Sequence, residues 1–250
     1  MSKSLDLILE VDSKELVDEL LGLGDESGLC ISREVAEGCV EHLMLVLEAN
    51  KVMNLTRIVD VHDALVLHIL DSLTLLPCID SCVEGAVLDM GTGAGFPGIP
   101  LCLATERSFT LLDSVGKKVK AVDGFIAKLG LSDRCVAVQD RVESFASERC
   151  GEFAVVTARA MSSLPVLVEY AAPLLTIGGS LVVSKGNPSD EELSSGKKAA
   201  KICGLQLVEH AELELPRHLG HRVLLRYEKS CNSSIPLPRP VGTAKKSPLS

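Results

Sequence analysis

Leu88-Asp89-Met90-Gly91-Thr92-Gly93-Ala94-Gly95-Phe96-Pro97-Gly98 is the most informative stretch of this 250-residue chain. It begins in the short apolar run Ala86–Met90, which reads as a β-strand. Three alternate glycines follow, then Pro97, which suits a first helical turn because its missing N–H is not needed there. Glycine lets the backbone turn tightly and approach a ligand with no Cβ in the way. A strand, a glycine turn and a helix in this order describe a nucleotide-type pocket at the edge of a parallel sheet.

Outward from this turn, strand and helix candidates alternate. Phe109–Asp113, Cys135–Gln139, Ala154–Thr157 and Ser180–Ser184 read as strands, with helical stretches at 117–129, 164–174 and 190–203. Leu205–Leu215 and Arg222–Tyr227 close the series as an antiparallel pair. Such alternation predicts an α/β fold, a mostly parallel, doubly wound sheet with helices on both faces. Ahead of it, Ser32 caps a helix to about Asn50, with Ile31, Val35, Cys39, Leu43 and Leu47 as the buried stripe. A second helix runs from Val61 to Leu76, capped by Asp60 and stopped by Pro77. Four stretches result: an acidic lead-in over 1–30 with a Gly-rich turn at Gly22–Gly28, a helical N-terminal extension over 31–85, the alternating domain over 86–229, and a basic, extended tail over 230–250.

Charge supports this division. The net charge is −9. Residues 1–50 account for all of it, and the tail from Lys229 holds four bases and no acid. The acidic total therefore does not exclude a polyanionic partner of the later domain. Nine cysteines at scattered spacings read as reduced thiols used as small apolar residues, and no metal site is expected. No run approaches the ~20 apolar residues that span a bilayer, Tyr170–Val183 being the most apolar. With no signal-like leader, the expected location is the cytosol.

Asp113 ends the second strand, so its carboxylate faces the same crevice as the glycines and can accept two hydrogen bonds from a ribose diol. Each such bond contributes about 1.5–3 kcal/mol. Gly93-Ala-Gly95-Phe-Pro-Gly98 also matches a dinucleotide fingerprint. The longer array Asp89-Met-Gly91-Thr-Gly93-Ala-Gly95 favours S-adenosylmethionine, with Asp89 reaching the amino-acid end that a dinucleotide lacks.

Further runs carry a more specific resemblance. They are Asn54-Leu-Thr, His68-Ile-Leu-Asp-Ser72, the glycine turn through Pro100, Leu111-Leu-Asp-Ser114 with Lys117-Lys118, Arg141-Val-Glu143, Ala158-Arg-Ala160, Lys185-Gly186 and Pro238-Arg-Pro-Val-Gly-Thr-Ala-Lys-Lys246. In this order they resemble the bacterial family of small-subunit ribosomal RNA guanine-N7 methyltransferases, also called glucose-inhibited division protein B. The resemblance implies a Rossmann-like class I methyltransferase fold, S-adenosylmethionine as cofactor, and methylation of guanine N7 at position 527 of 16S ribosomal RNA in the small subunit. It implies cofactor contacts at Gly91, Phe96, Val142, Glu143 and Arg159, alongside Asp89, Gly93, Gly95 and Asp113 from the turn. Met53 and Leu67 depart from the family pattern, which commonly has an aromatic and a basic residue there.

N7 carries a lone pair and no proton, so no general base is expected. Arg159 and Lys185 are read as positioning the substrate. Asn54, His68, Asp71, Arg141, Arg222, Arg239, Lys245 and Lys246 complete the RNA-side set. His68, Asp71 and Ser72 share one helix face, either over the cofactor mouth or in a helix-to-sheet hydrogen bond. Five Phe, two Tyr and no Trp give base stacking little support, so RNA recognition would rest on charge and shape. A methyltransferase of another substrate and a catalytically silent ribosome-assembly module stay open as alternatives.

Overall fold

The computed structural model describes residues 12–249. Seven strands form one sheet: β1 (Val87–Met90), β2 (Phe109–Asp113), β3 (Cys135–Gln139), β4 (Phe153–Arg159), β5 (Leu175–Lys185), β6 (Leu205–Glu214) and β7 (His221–Lys229). Their order is β3-β2-β1-β4-β5-β7-β6. The first five run parallel, and β7 enters antiparallel between β5 and β6.

Period-two alternation sends neighbouring residues to opposite faces. Val87, Val182 and Leu224 join one apolar cluster, while Leu88, Val183 and Leu225 join the other. The first face is covered by α1 (Ser13–Glu26), α2 (Arg33–Met53), α3 (Val61–Asp80), α4 (Gly98–Leu103) and α5 (Gly116–Lys128). The second is covered by α6 (Val142–Glu148), α7 (Leu164–Ala171) and α8 (Asp190–Cys203), with Ala244 of the short α9 (Thr243–Lys246).

Where it is described, the acidic lead-in is helical and packed against the core. From Asp12, which caps it, α1 buries Leu16, Val17, Leu20 and Leu23, and its glycines at 22 and 24 are helical rather than a turn. Burial of such side chains contributes about 1.5–3 kcal/mol each, outweighing the glycines' poor helix propensity. Glu19 also pairs with His62 of α3 at 2.7 Å and with Arg217 of the β6–β7 turn at 2.6 Å. The first eleven residues of that stretch lie outside the described residues. Helix α2 follows its expected course from the Ser32 cap, and ends at Met53 with Asn54 in the left-handed region at φ 50°.

Helix α3 starts at Asp60 as expected but holds a π-helical stretch, Leu65–Leu70. Pro77 does not stop it. It occupies the start of a further turn, Leu76–Asp80, where proline has no lost hydrogen bond to answer for. The expectation that no segment could span a bilayer is corrected too: Val61–Asp80 is long and apolar enough by length and composition, with mean hydropathy 1.3. Its apolar side chains sit in the core cluster under the sheet. The tail, expected to be extended, ends in α9 and is docked rather than free.

Candidate functional site: a cavity at the strand ends and a polar network beside it

The C-terminal ends of β1, β2, β3 and β4 open into a cavity of about 280 Å³. Gly91, Asp113, Arg141, Val142, Glu143 and Lys245 line it, with Ser114, Lys118, Met161 and Tyr170. Asp113 is the hinge of its floor. One carboxylate oxygen accepts from the Gly93 N–H at 3.1 Å, the other from the Val115 N–H at 2.9 Å. Each oxygen keeps a lone pair for a ligand hydroxyl. Gly91 has φ +72°, and a Cβ there would lie 3.0 Å from Met161 Cγ. The backbone thus approaches the cavity where a side chain could not. A ribose-bearing ligand fits this lining: a carboxylate for a diol, an apolar wall from Val142 and Met161, and glycine backbone between them.

Predicted cofactor residues Asp89, Gly95, Phe96 and Arg159 lie outside this lining. Asp89 is fully buried and turned under the loop, where one oxygen accepts from the Gly98 N–H at 3.0 Å. Burial pushes its carboxyl up to about 7, against the opposing pull of the Thr92 hydroxyl and the Gly98 N–H. It therefore fixes the start of α4 and does not reach the cavity. Gly95 faces the same interior: a Cβ there would meet Ile99 at 2.7 Å and His42 Nε2 at 3.0 Å. Its glycine identity makes room for His42, whose Nε2 hydrogen-bonds the Ala94 carbonyl at 3.0 Å.

Phe96, also expected at the cofactor, is a buried ring between two histidines. His68 stacks on it at 4.7 Å with planes 8° apart, and His42 is tilted against it at 4.6 Å. Burial lowers both histidines, His42 to about 3 and His68 to about 4, so both are neutral. His68 is further held by the Thr56 hydroxyl at 2.8 Å.

His68 and Asp71 belong to a network that ties α3 to the end of β4. Asp71, 3% exposed at its side chain, pairs with Arg159 at 2.7 Å and with Arg222 at 3.0 Å. Arg159 also donates to Ser72 Oγ at 2.6 Å and to the carbonyls of Leu67 and His68. The π-helical stretch displaces carbonyls from ordinary helical bonding, and Arg159 takes up these two. The helix-to-sheet alternative for the His68-Ile-Leu-Asp-Ser72 face is thus the one the structure forms. Arg159 itself does not line the cavity. Its successors Ala160, at φ 47°, and Met161 do. A non-glycine residue held there carries backbone strain.

The remaining candidates divide by exposure. Lys185 pairs with Glu192 at 2.8 Å and donates to the Ser162 carbonyl at 2.9 Å. It anchors the β4–α7 loop instead of facing a substrate. Arg239 is committed to the buried Glu169, at 2.7 Å through Nε, and is not free for phosphate. Asn54, Arg141, Lys245 and Lys246 are exposed. His42, Met161 and Tyr170 were not among the residues singled out in the sequence. The first lies three residues after Cys39 on the buried face of α2, and Met161 directly follows the Ala-Arg-Ala run, so position alone could have flagged both.

A parallel sheet closed by an antiparallel β7, a glycine turn after β1 and an acid ending β2 define a class I, S-adenosylmethionine-dependent methyltransferase. Solved structures agree on the fold. A putative methyltransferase from Bacillus halodurans aligns with TM-score 0.51 and 16% identity over 65% of this chain and all of that one. The [4+2]-cyclase SpnF aligns with TM-score 0.52 and 13% identity over 64% of this chain and 81% of that one, so the fold alone does not fix the chemistry. Sequence comparison is more specific. The family described as rRNA small subunit methyltransferase G matches residues 36–219. The protein named ribosomal RNA small subunit methyltransferase G from Staphylococcus epidermidis is 36% identical over 226 residues, 90% of this chain and 94% of its own. Its namesake from Desulfitobacterium hafniense is 38% identical over 206 residues, 81% of this chain and 84% of its own. The chain belongs to the rRNA small subunit methyltransferase G family.

Proposed function

We propose that this protein transfers a methyl group to N7 of one guanine, position 527, in 16S ribosomal RNA of the small subunit, and that it acts in the cytosol where that subunit is assembled. The observation that carries the reading is convergence. Runs scattered from Asn54-Leu-Thr56 to Ala158-Arg-Ala160 meet through Thr56, His68, Asp71 and Arg159 directly beside the Gly91–Asp113 cavity. S-adenosylmethionine supplies an electrophilic methyl on a sulfonium.

Asp113 would hold the donor's ribose diol, and Val142 and Met161 would exclude water from its apolar side. Guanine N7 has no proton to remove. In keeping with that, neither the buried His42 nor the half-buried His68 is a free base: His42 is bonded to Ala94, and His68 to Thr56. Catalysis then rests on position and on fixed charge. Arg159 and Arg222, locked on Asp71, hold α3 against the strand ends beside the cavity, and the exposed Arg141 and Lys246 are available to phosphates.

The test is methyl transfer from labelled donor to small subunits and to naked 16S RNA, followed by strand scission at N7-methylguanine. Scission at one guanine of the small-subunit RNA is expected. Label on another base, or no label on RNA, refutes the reading.

A further inference from the structure

The donor cavity is not closed by the sheet and its loops alone. The chain beyond β7 returns across α8, where the Ser234 N–H donates to the Ile202 carbonyl at 2.9 Å. It then reaches α7. There Arg239 pairs with Glu169, whose carboxylate is 3% exposed. Burying a carboxylate is costly unless a partner neutralises it, so this contact is a specific anchor and not a surface coincidence. Three residues later the Gly242 N–H donates to Glu143 Oε1 at 2.8 Å, the same oxygen that accepts from the Tyr170 hydroxyl at 3.0 Å. Glu143 and Tyr170 both line the cavity. Ala244 is buried in the apolar cluster on that face, 1% exposed. These fixed points deliver Lys245 to the cavity wall alongside Gly91 and Asp113, while Lys246 is not part of the lining.

We infer that residues 239–246 form a wall of the methyl-donor site and that Lys245 binds the donor instead of RNA, so that donor binding and tail docking strengthen each other. The inference rests on the cavity being the donor's site. An ammonium offers three hydrogen-bond donors, and S-adenosylmethionine offers acceptors in its carboxylate, ring nitrogens and ribose oxygens. Glu143, which sequence resemblance made a cofactor contact, has a different part on this view: its carboxylate holds the tail, which in turn holds Lys245. Pro236, Pro238 and Pro240 stiffen the returning segment and reduce the conformational entropy lost on docking.

Adjacent lysines with different surroundings make the test selective. Calorimetric titration of the full-length chain with S-adenosylmethionine is run for wild type, Lys245→Ala, Lys246→Ala and Asp113→Ala, with trypsin cleavage of the tail timed with and without the donor. Loss of one charge-assisted hydrogen bond predicts about tenfold weaker binding for Lys245→Ala, unchanged binding for Lys246→Ala, and slower tail cleavage when the donor is present. Equal affinity for both lysine variants overturns the inference, as does a Lys245→Ala defect confined to RNA binding, or tail cleavage indifferent to the donor. Unchanged affinity in Asp113→Ala overturns instead the assignment of the cavity to the donor.

Discussion

Replacing Asp71 by Asn removes one charge and almost no volume, and its consequences follow from two distances. Asp71 lies 2.7 Å from Arg159 and 3.0 Å from Arg222. The two guanidinium side chains are 13% and 16% exposed, so water screens them poorly. Without the carboxylate they face each other unpaired, and Arg159, whose pKa burial and Arg222 already lower, becomes harder still to keep charged. Removing one partner of a buried ion pair costs about 3–5 kcal/mol. Against a total stability of about 5–15 kcal/mol, the fold survives in most of that range. For a chain of this size the loss corresponds to a Tm about 6–20 °C lower. Thermal unfolding followed by circular dichroism measures it directly. A second substitution separates charge from packing. Arg222→Met on the Asp71→Asn background removes the surplus cation and should recover several degrees, whereas independent sites would add their losses. Methyl transfer by Asp71→Asn, assayed well below its Tm, should still fall, because Arg159 has lost the group that aims it. A Tm within 2 °C of wild type, or a double variant less stable than either single one, would refute the view that Asp71 neutralises both arginines.

Acidification should weaken the fold through the histidines. His42 and His68 titrate at about 3 and about 4 instead of 6.5. Their contribution is complete above pH 6.5 and is lost as pH falls toward those values, because the unfolded chain then binds the extra protons. Asp89 works in the opposite sense. Raised from 3.8 to about 7, it contributes below about pH 4 and loses that contribution as pH rises to 7. Two groups outweigh one, so Tm should drop between pH 6.5 and 5, and more steeply in Asp89→Asn; a flat profile, or a shallower one in the variant, contradicts this assignment. Gly95→Ala should lower Tm without selectively weakening the donor, since its Cβ would strike Ile99 and His42 and its φ is +95°. A variant of normal stability that no longer binds the donor would return Gly95 to the cofactor. Asp113→Ala should reduce donor affinity by about one to two orders of magnitude, from one or two lost charge-assisted hydrogen bonds, and should loosen the Gly93 turn; unchanged calorimetric affinity is the contrary result.

What could be read in the chain divides along a physical line. The strands from Ala86 onward were legible because a parallel sheet buried on both faces needs short apolar runs, and a run such as Val87–Met90 has few other ways to satisfy its backbone. Asp190–Cys203 has the expected bounds, and the structure caps it with Ser189 and ends it at Gly204 in the left-handed region. Helix α1 was not, because two glycines and many acids argue against a helix when propensity is summed locally. Its stability comes from a core assembled out of distant segments, and no local window contains that term.

The site follows the same division. Asp113 and Gly91 could be placed at the cavity because a strand end has a fixed relation to the crevice. Asp89 was misplaced because its direction depends on which face of β1 its side chain leaves, and the loop's return to Gly98 gives its oxygen an N–H at 3.0 Å. Charge misled most. Arg239 and Lys185 read as free cations until Glu169 and Glu192, seventy and seven residues away in the chain, came to rest against them. A cation in a sequence advertises a partner without saying whether that partner is substrate or protein. Here the buried acids took Arg159, Arg222 and Arg239, leaving as exposed cations of the candidate set Arg141, Lys245 and Lys246. If the donor takes Lys245, the RNA must be gripped by few charges at this mouth, and its affinity should depend less steeply on salt than the chain's basic count suggests.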